Sequence, residues 1–585
     1  MRIKYLDVLK AIAIIGVVLY HAGLMTYGYL GVDVFFVIAG YLTTKSLNSK
    51  YITLENQTKG GYLKFEISRV IRLLPPLLLA GLVCMIAGFW LMLPDDYENL
   101  SESVVATNFF ANNILAAITT KNYWDVVNEY KPLMHTWYVG VVMQFYIVYP
   151  ILFFIARLDK ATTKKTILTI ISFLTVVSLL IYFGTTNDTE RFYYLPSRFF
   201  EFGVGGVVAL LYDPKEDKPF GKWFVYICYA LLLLLIVVDY EMVPTVVRLV
   251  MVVAFSVVLL CSQNVLENNI TGNVTLAKIG AASYSVFIWH QVLLAFYRYS
   301  ITSEFTIATY VVLLFSTALM SYLSYKFIEQ FTTKALKTKK RKTLLYMTTI
   351  VVFLIVSAWA AYIYRQGGVV RDVPELYITK GEKVNHKAYN DKIYKLDEPF
   401  ETDKKHWLVV GNSFGRGFAN VILESEVADS IELSYIYIEN YRKPEYSNRF
   451  ASADRVFLSS LGADEEIVSG IEMVCKTNGF NIENLIIVGT KNFGESNGQF
   501  YINRNHADYF QQRTVMGKGY YNENNRKKAL YGERYLDLIG LVIDKNNTMP
   551  VFTPDHHYIS QDCRHFSEGG ARWFSTLIDW SRYLY

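Results

Sequence analysis

The chain has 585 residues, 52% of them hydrophobic and 16% aromatic, with only 19% charged and a formal net charge of +5. That length allows two or three domains, and the small excess of positive charge, gathered in separate loops, argues against a nucleic-acid partner. Five cysteines are too few for a disulfide scaffold, and no metal is expected.

Met1 to Lys4 is basic, but the apolar run behind it leads into a second one without a small-residue cleavage pattern, so no cleavable signal is expected. A membrane crossing needs about 20 mainly apolar residues. Runs of that kind cover 6–26, 31–47, 72–93, 133–155, 166–184, 195–212, 220–238, 243–262, 277–299, 305–328 and 343–364, which predicts about eleven spans. Cys84, Cys228 and Cys261 lie in these runs as packing residues.

Loop charge orients the bundle. One set of loops holds Lys45, Lys50, Lys59 and Lys64, then Arg157, Lys160, Lys164 and Lys165, then Lys215, Lys218 and Lys222, and last Lys334 to Lys342. The alternate loops carry Asp95, Asp96, Glu98 and Glu102, then Asp188 and Glu190, then Asp239 and Glu241. Basic loops stay in the cytoplasm, so the N-terminus is expected inside and everything past about residue 365 outside. Residues 366–404 read as a mostly polar, partly extended connector. From 405 onward HWLVVG, RVFLSSL, NLIIVG and MPVFT read as strands, with ANVILESEV and EEIVSGIEMVCK as helices. Strands alternating with helices predict an α/β domain with a mainly parallel sheet. Cys475 and Cys563 share it and are a possible pair in an oxidising compartment.

Ionisable residues inside spans point to function. The first run holds Asp7, Lys10 and His21. Eleven residues separate Lys10 from His21, about 1,100° of turn, so they share a helix face roughly 16 Å apart. One elongated ligand can meet both; the plainer alternative pairs Asp7 with Lys10 and bonds His21 to a carbonyl. Arg69 and Arg72 lie three apart at the entrance to the third run, where positive-inside anchoring is the alternative. His135, Trp137 and Gln144 follow in the fourth, and His290 in the ninth. Arg198 and Glu201 in the sixth are spaced for an internal ion pair.

The segments LDVLKAIAIIGVVLYH, GVDVFFVIAGYL, ISRVIRLLPPLLL, HTWYVGVVMQFYIVYP and ASYSVFIWH, in this order, resemble the membrane acyltransferase-3 family over roughly residues 1–330. The resemblance implies acyl transfer from cytoplasmic acetyl-CoA to an extracytoplasmic glycan. It places the family's essential histidine on His21 and its donor-binding arginine pair on Arg69 and Arg72. Lys10 stands where the family usually has Arg, keeping the charge for a phosphate but losing the planar fork. Val142 and Met143 stand where many relatives have acids, so no role is carried over to them. Lys10, Arg69 and Arg72 are then expected to hold the CoA phosphates, with His21 as general base or acetyl acceptor.

In the last domain, HWLVVGNSFGRGFANVILES reads as strand, tight turn and helix, which puts Ser413 at a helix N-terminus where N–H groups steady an oxyanion. Asp562 and His565, three apart in SQDCRHFSEGGARW, are spaced for a carboxylate to orient an imidazole that deprotonates the serine. Together they resemble the SGNH hydrolase fold, although its first block usually reads Gly-Asp-Ser where this chain has Asn412. That resemblance implies a Gly and an Asn as further oxyanion donors, with Gly462 and Asn492 in suitable places.

The expected protein is a polytopic α-helical membrane bundle with a C-terminal α/β SGNH-hydrolase-like domain. Residues 1–332 are the acyltransferase domain, 333–404 an extra span with a periplasmic connector, and 405–585 the serine domain. An acyltransferase-3 bundle joined to such a domain by an extra span resembles the bacterial O-acetyltransferases of surface polysaccharides, which implies O-acetylation of an extracytoplasmic polysaccharide, lipopolysaccharide O-antigen first, from the bacterial inner membrane, with acetyl-CoA as donor and no permanently bound cofactor. Peptidoglycan acetylation, a membrane-anchored acetyl esterase and a transporter are the rivals.

Overall fold

The computed structural model describes residues 4–52, 59–119, 128–155, 163–212, 220–238, 243–262, 274–302, 304–380, 386–460, 465–489, 497–562 and 564–584. The chain divides into two compact units. One comprises Met1–Ile86, Leu100–Arg298 and Ser303–Ala361; the other comprises Ala87–Asn99, Tyr299–Thr302 and Tyr362–Tyr585.

Along the chain each apolar run falls on a helix: Lys4–His21, Gly31–Ile52, Lys59–Leu91, Trp137–Ile155, Thr163–Gly184, Leu195–Leu211, Lys222–Val237, Thr245–Leu260, Ser283–Ser300, Ile307–Ser324 and Lys339–Arg365. Among the described residues six helices are long and apolar enough to cross a membrane. A seventh follows if Thr275–Ala281 and Ser283–Ser300, bent by 74°, form one span. Others are shorter than their sequence windows. Lys222–Val237 and Thr245–Leu260 have 16 residues each, about 24 Å of rise against a hydrocarbon core of about 30 Å. Gly221 and Pro244, at their N-terminal caps, lie inside the apolar windows but outside the helices.

Close backbone approach holds the helical unit together. Gly31–Ile52 packs along Leu195–Leu211, where a Cβ on Gly40 would strike the Phe202 carbonyl and one on Gly205 the Val37 carbonyl. Small residues at such crossings let apolar helices gain dispersion contacts that lipid cannot replace. Gln144 pairs with Asn113 across helices of the same unit at 2.9 Å.

The second unit is α/β. Its strands are β1 (Lys405–Gly411), β2 (Ile431–Tyr437), β3 (Arg455–Ser459), β4 (Leu485–Val488), β5 (Arg513–Val515), β6 (Tyr535–Leu536) and β7 (Thr548–Pro550). Five form a sheet in the order β2-β1-β3-β4-β6, parallel throughout. Parallel central strands are covered on both faces, so successive side chains enter different cores. Trp407, Val409, Phe457, Ile486 and Val488 point to one face, against Phe418, Ile422, Ala571 and Phe574 of the helices Ser413–Leu423 and Glu568–Leu577. Leu408, Val410, Val456, Leu458, Leu485 and Ile487 point to the other, against Val468, Ile471 and Cys475 of Glu465–Thr477.

Two sequence readings need correction here. MPVFT is not a strand of the main sheet, because β7 pairs antiparallel with β5 in a separate ribbon. The sheet's fifth strand is instead the two-residue β6, too short to leave a pattern. IELSYIY was not expected as a strand, yet it is β2 at the sheet edge, where Glu432 and Ser434 break the apolar run. Residues 369–378 are also better packed than their polarity suggests. Val369, Val373, Leu376 and Ile378 share a core cluster with Leu93, Tyr501, Tyr509, Val551, Phe552 and Tyr558.

Cys475 is a buried free thiol whose burial pushes its pKa up to about 12, while Cys563 lies outside the described residues.

Candidate active site

In the helical unit, Lys59–Leu91 presents Arg69 and Arg72 on one face, since residues three apart are surface neighbours on a helix. With Lys10 of Lys4–His21 they line a cavity of about 170 Å³. The Arg69 guanidinium lies over the rings of Phe65 at 4.9 Å and Tyr146 at 5.0 Å, which fixes the plane of its donors. Lys10 Nζ stands 3.6 Å from Asp7 Oδ1, so the plain pairing exists alongside the cavity position. Val142 gives the same cavity an apolar wall.

Glu329 also lines this cavity and was missed from sequence. It ends a π-helical turn, Tyr325–Glu329, that continues Ile307–Ser324. Such turns shift a side chain off the regular helical register and often mark working sites. The Ser285 hydroxyl donates to its carboxylate. The available signal was an acidic residue at the end of an apolar run, in KFIEQF.

His21 closes the first helix and lines a different cavity, of about 230 Å³, with Tyr20, Tyr29, Asp33, Trp137 and Arg198 among its walls. Its Nδ1 is 3.0 Å from Nε2 of His290, whose own Nδ1 is 3.1 Å from the Val286 carbonyl. The His135 ring lies 5.3 Å from that of His290, so the three histidines of the sequence's apolar runs form one group. Arg298 donates to the His21 carbonyl at 2.5 Å. The expected Arg198–Glu201 pair is present at 3.0 Å, and Asp33 completes it at 2.9 Å from the same guanidinium nitrogen.

In the α/β unit, Ser413 begins its helix directly after β1. That strand is flanked by β2 and β3, so the chain order reverses there, and such switch points are where open α/β sheets place their sites. Two devices make the turn tight. A Cβ on Gly411 would collide with the Ser459 carbonyl of β3, and the Tyr435 hydroxyl donates to the Gly411 carbonyl at 2.7 Å. Asn412 caps the helix, its Oδ1 accepting the Phe414 N–H at 3.0 Å. Asp would cap equally well, so Gly-Asn-Ser preserves the geometry of Gly-Asp-Ser.

His565 Nε2 is 2.8 Å from Ser413 Oγ, and His565 Nδ1 is 2.5 Å from Asp562 Oδ2. The other carboxylate oxygen, Oδ1, accepts the backbone N–H groups of Arg564 at 3.0 Å and His565 at 2.8 Å. That fixes the carboxylate, which fixes the ring, which faces the hydroxyl: the arrangement of a base-activated serine nucleophile. Gly462 and Asn492, the expected extra oxyanion donors, lie outside the described residues.

A family model described as an acyltransferase domain matches residues 3–326. The O-acetyltransferase OatA of Staphylococcus aureus strain MRSA252 is 26% identical over 376 residues, 60% of this chain and 61% of that protein. OatA of strain NCTC 8325 / PS 47 is 27% identical over 344 residues, 55% of this chain and 56% of that protein. The chain therefore matches about three fifths of these relatives' length. No solved structure matches. With more than half its length matched by the family model, this membrane protein belongs to the acyltransferase-3 family.

Proposed function

We propose that the protein is an O-acetyltransferase that carries acetyl from cytoplasmic acetyl-CoA across the bacterial inner membrane to a hydroxyl of an extracytoplasmic polysaccharide. One observation carries this reading: a single chain holds both a cationic cavity and histidine group on apolar helices, and a Ser–His–Asp triad in an α/β unit. A hydrolase acting alone has no use for the first, and a transporter has no use for the second. The segregation of Lys and Arg into alternate loops supports about eleven crossings, a cytoplasmic N-terminus and a periplasmic serine domain, and the Ser413–His565–Asp562 geometry supports an SGNH type for that domain.

Acetyl-CoA is the donor substrate, its phosphates held by Lys10, Arg69 and Arg72 through charge-assisted bonds. The thioester reaches His21, which takes the acetyl group or serves as base for its onward transfer. Ser413 Oγ then attacks the acyl carbon as His565 Nε2 accepts its proton; the bond from that carbon to the CoA sulfur or His21 nitrogen breaks, the leaving atom takes the proton, and an acetyl-serine beside a neutral His565 remains. A sugar hydroxyl attacks that ester, losing its proton to His565, and Ser413 regains a proton as it leaves. O-antigen is the first acceptor to examine and peptidoglycan the second.

The test supplies labelled acetyl-CoA to the cytoplasmic side of membrane vesicles and follows the label. It should appear as an alkali-labile ester on polysaccharide, and the polymer that loses acetate in a deletion strain names the acceptor. Release of free acetate from acetylated glycan, with no label taken from acetyl-CoA, would instead mean an esterase. Arg69→Ala and Arg72→Ala should each raise the KM for acetyl-CoA on the order of 10- to 100-fold, since a hydrogen bond to a charged group contributes about 1.5–3 kcal/mol.

A further inference from the structure

Two imidazoles in direct contact cannot both offer a lone pair to each other, and the structure gives one of them a fixed partner. The Val286 carbonyl, 3.1 Å from His290 Nδ1, can only accept, so that nitrogen carries a hydrogen. A neutral imidazole has one N–H, which leaves His290 Nε2 as a bare acceptor. His21 Nδ1 faces it at 3.0 Å and must donate. The Val17 carbonyl, one turn before His21, also accepts from its ring, and with the hydrogen on Nδ1 the lone pair of His21 lies on Nε2.

We infer that His290 is a positioning residue that locks His21 into the tautomer protonated on Nδ1 and leaves Nε2 as the atom that handles the acyl group. The inference rests on the function proposed above and extends it to a residue with no role in that scheme. The α/β unit of the same chain provides the comparison. There Nδ1 of His565 is held by Asp562 while Nε2 meets the serine. In the helical unit a second imidazole takes the place of the carboxylate, and it orients the ring without adding a negative charge to a membrane helix, where charge is expensive. The assembly is braced from both sides. Arg298 holds the His21 carbonyl at 2.5 Å, and the His135 ring stands edge-on to His290.

The test uses the full-length chain in lipid vesicles and measures kcat and KM for acetyl-CoA in wild type, His290→Ala, His290→Gln and His21→Ala. Loss of the tautomer lock should lower kcat of His290→Ala on the order of 10²- to 10⁴-fold, the scale seen when a serine protease loses its ring-orienting carboxylate. KM should stay within about threefold, because no phosphate contact is touched. Glutamine places a carbonyl oxygen near the position of Nε2, so His290→Gln should recover at least about tenfold over His290→Ala. Insertion and binding of a non-transferable CoA analogue are checked for each variant. His290→Ala with wild-type kcat, or His290→Gln no better than His290→Ala when both bind the analogue, overturns the inference. An active His21→Ala instead removes the proposed function itself, while an inactive His21→Ala beside a fully active His290→Ala removes only the tautomer assignment.

Discussion

Ser413→Ala is expected to stop polysaccharide acetylation, with transfer falling on the order of 10⁴- to 10⁶-fold, as when a serine hydrolase loses its nucleophile. The size follows from the geometry. Ser413 Oγ stands 2.8 Å from His565 Nε2, and an alanine leaves that base without its nucleophile. The substitution removes one oxygen from a buried position whose backbone is held independently by Asn412 and Tyr435, so insertion and binding of CoA should be unchanged. Asp562→Asn should be milder, about 10⁴-fold, through loss of the correct tautomer rather than of the nucleophile. The measurement is acetate ester per polysaccharide repeat from labelled acetyl-CoA. Glycan acetylation within tenfold of wild type would mean that the serine carries no acetyl group.

His21→Ala should have an effect of comparable size by a different route. It leaves the Lys10, Arg69 and Arg72 cavity intact, since His21 lines a separate one, so acetyl-CoA should still bind. Chemistry should then stop upstream, with neither glycan nor Ser413 receiving label. The contrast between the variants orders the steps. In Ser413→Ala, any acetyl group held on the membrane helices remains detectable; in His21→Ala it never forms. Label on Ser413 in His21→Ala would place the serine ahead of the histidine and invert the proposed sequence.

Much of this was legible in the sequence because the physics is local. Apolar runs of about 20 residues become helices, and Gly-Asn-Ser between a short apolar run and an amphipathic stretch makes a strand–turn–helix with Ser413 at the helix start. The Asp562–His565 spacing is likewise short-range. Long-range partners were not legible. Nothing near Arg198 in sequence indicates that Asp33 shares its guanidinium, and nothing around His290 shows that its ring meets His21, 269 positions away. Glu329 was overlooked because its place in the cavity depends on a π-helical turn, a change of register with no periodicity of its own. The α/β sheet shows the same division. Its central strands announced themselves by unbroken apolar runs, whereas β2, with one polar edge, and β6, with two residues, are strands only because a neighbour pairs with them.

The core cluster around Val369 and Val373 bears on how the serine unit can be handled. Leu93 belongs to it, and Arg371 donates to the carbonyls of Phe89 and Met92, so a stretch of chain far upstream completes the fold of the C-terminal unit. A fragment cut at residue 405, where composition changes, would strip Leu93, Val369, Val373, Leu376 and Ile378 from the cluster that covers Val551, Phe552 and Tyr558. The loop bearing Asp562 and His565 follows these positions directly, so weak activity from such an excised piece would report an unfinished scaffold rather than a poor enzyme.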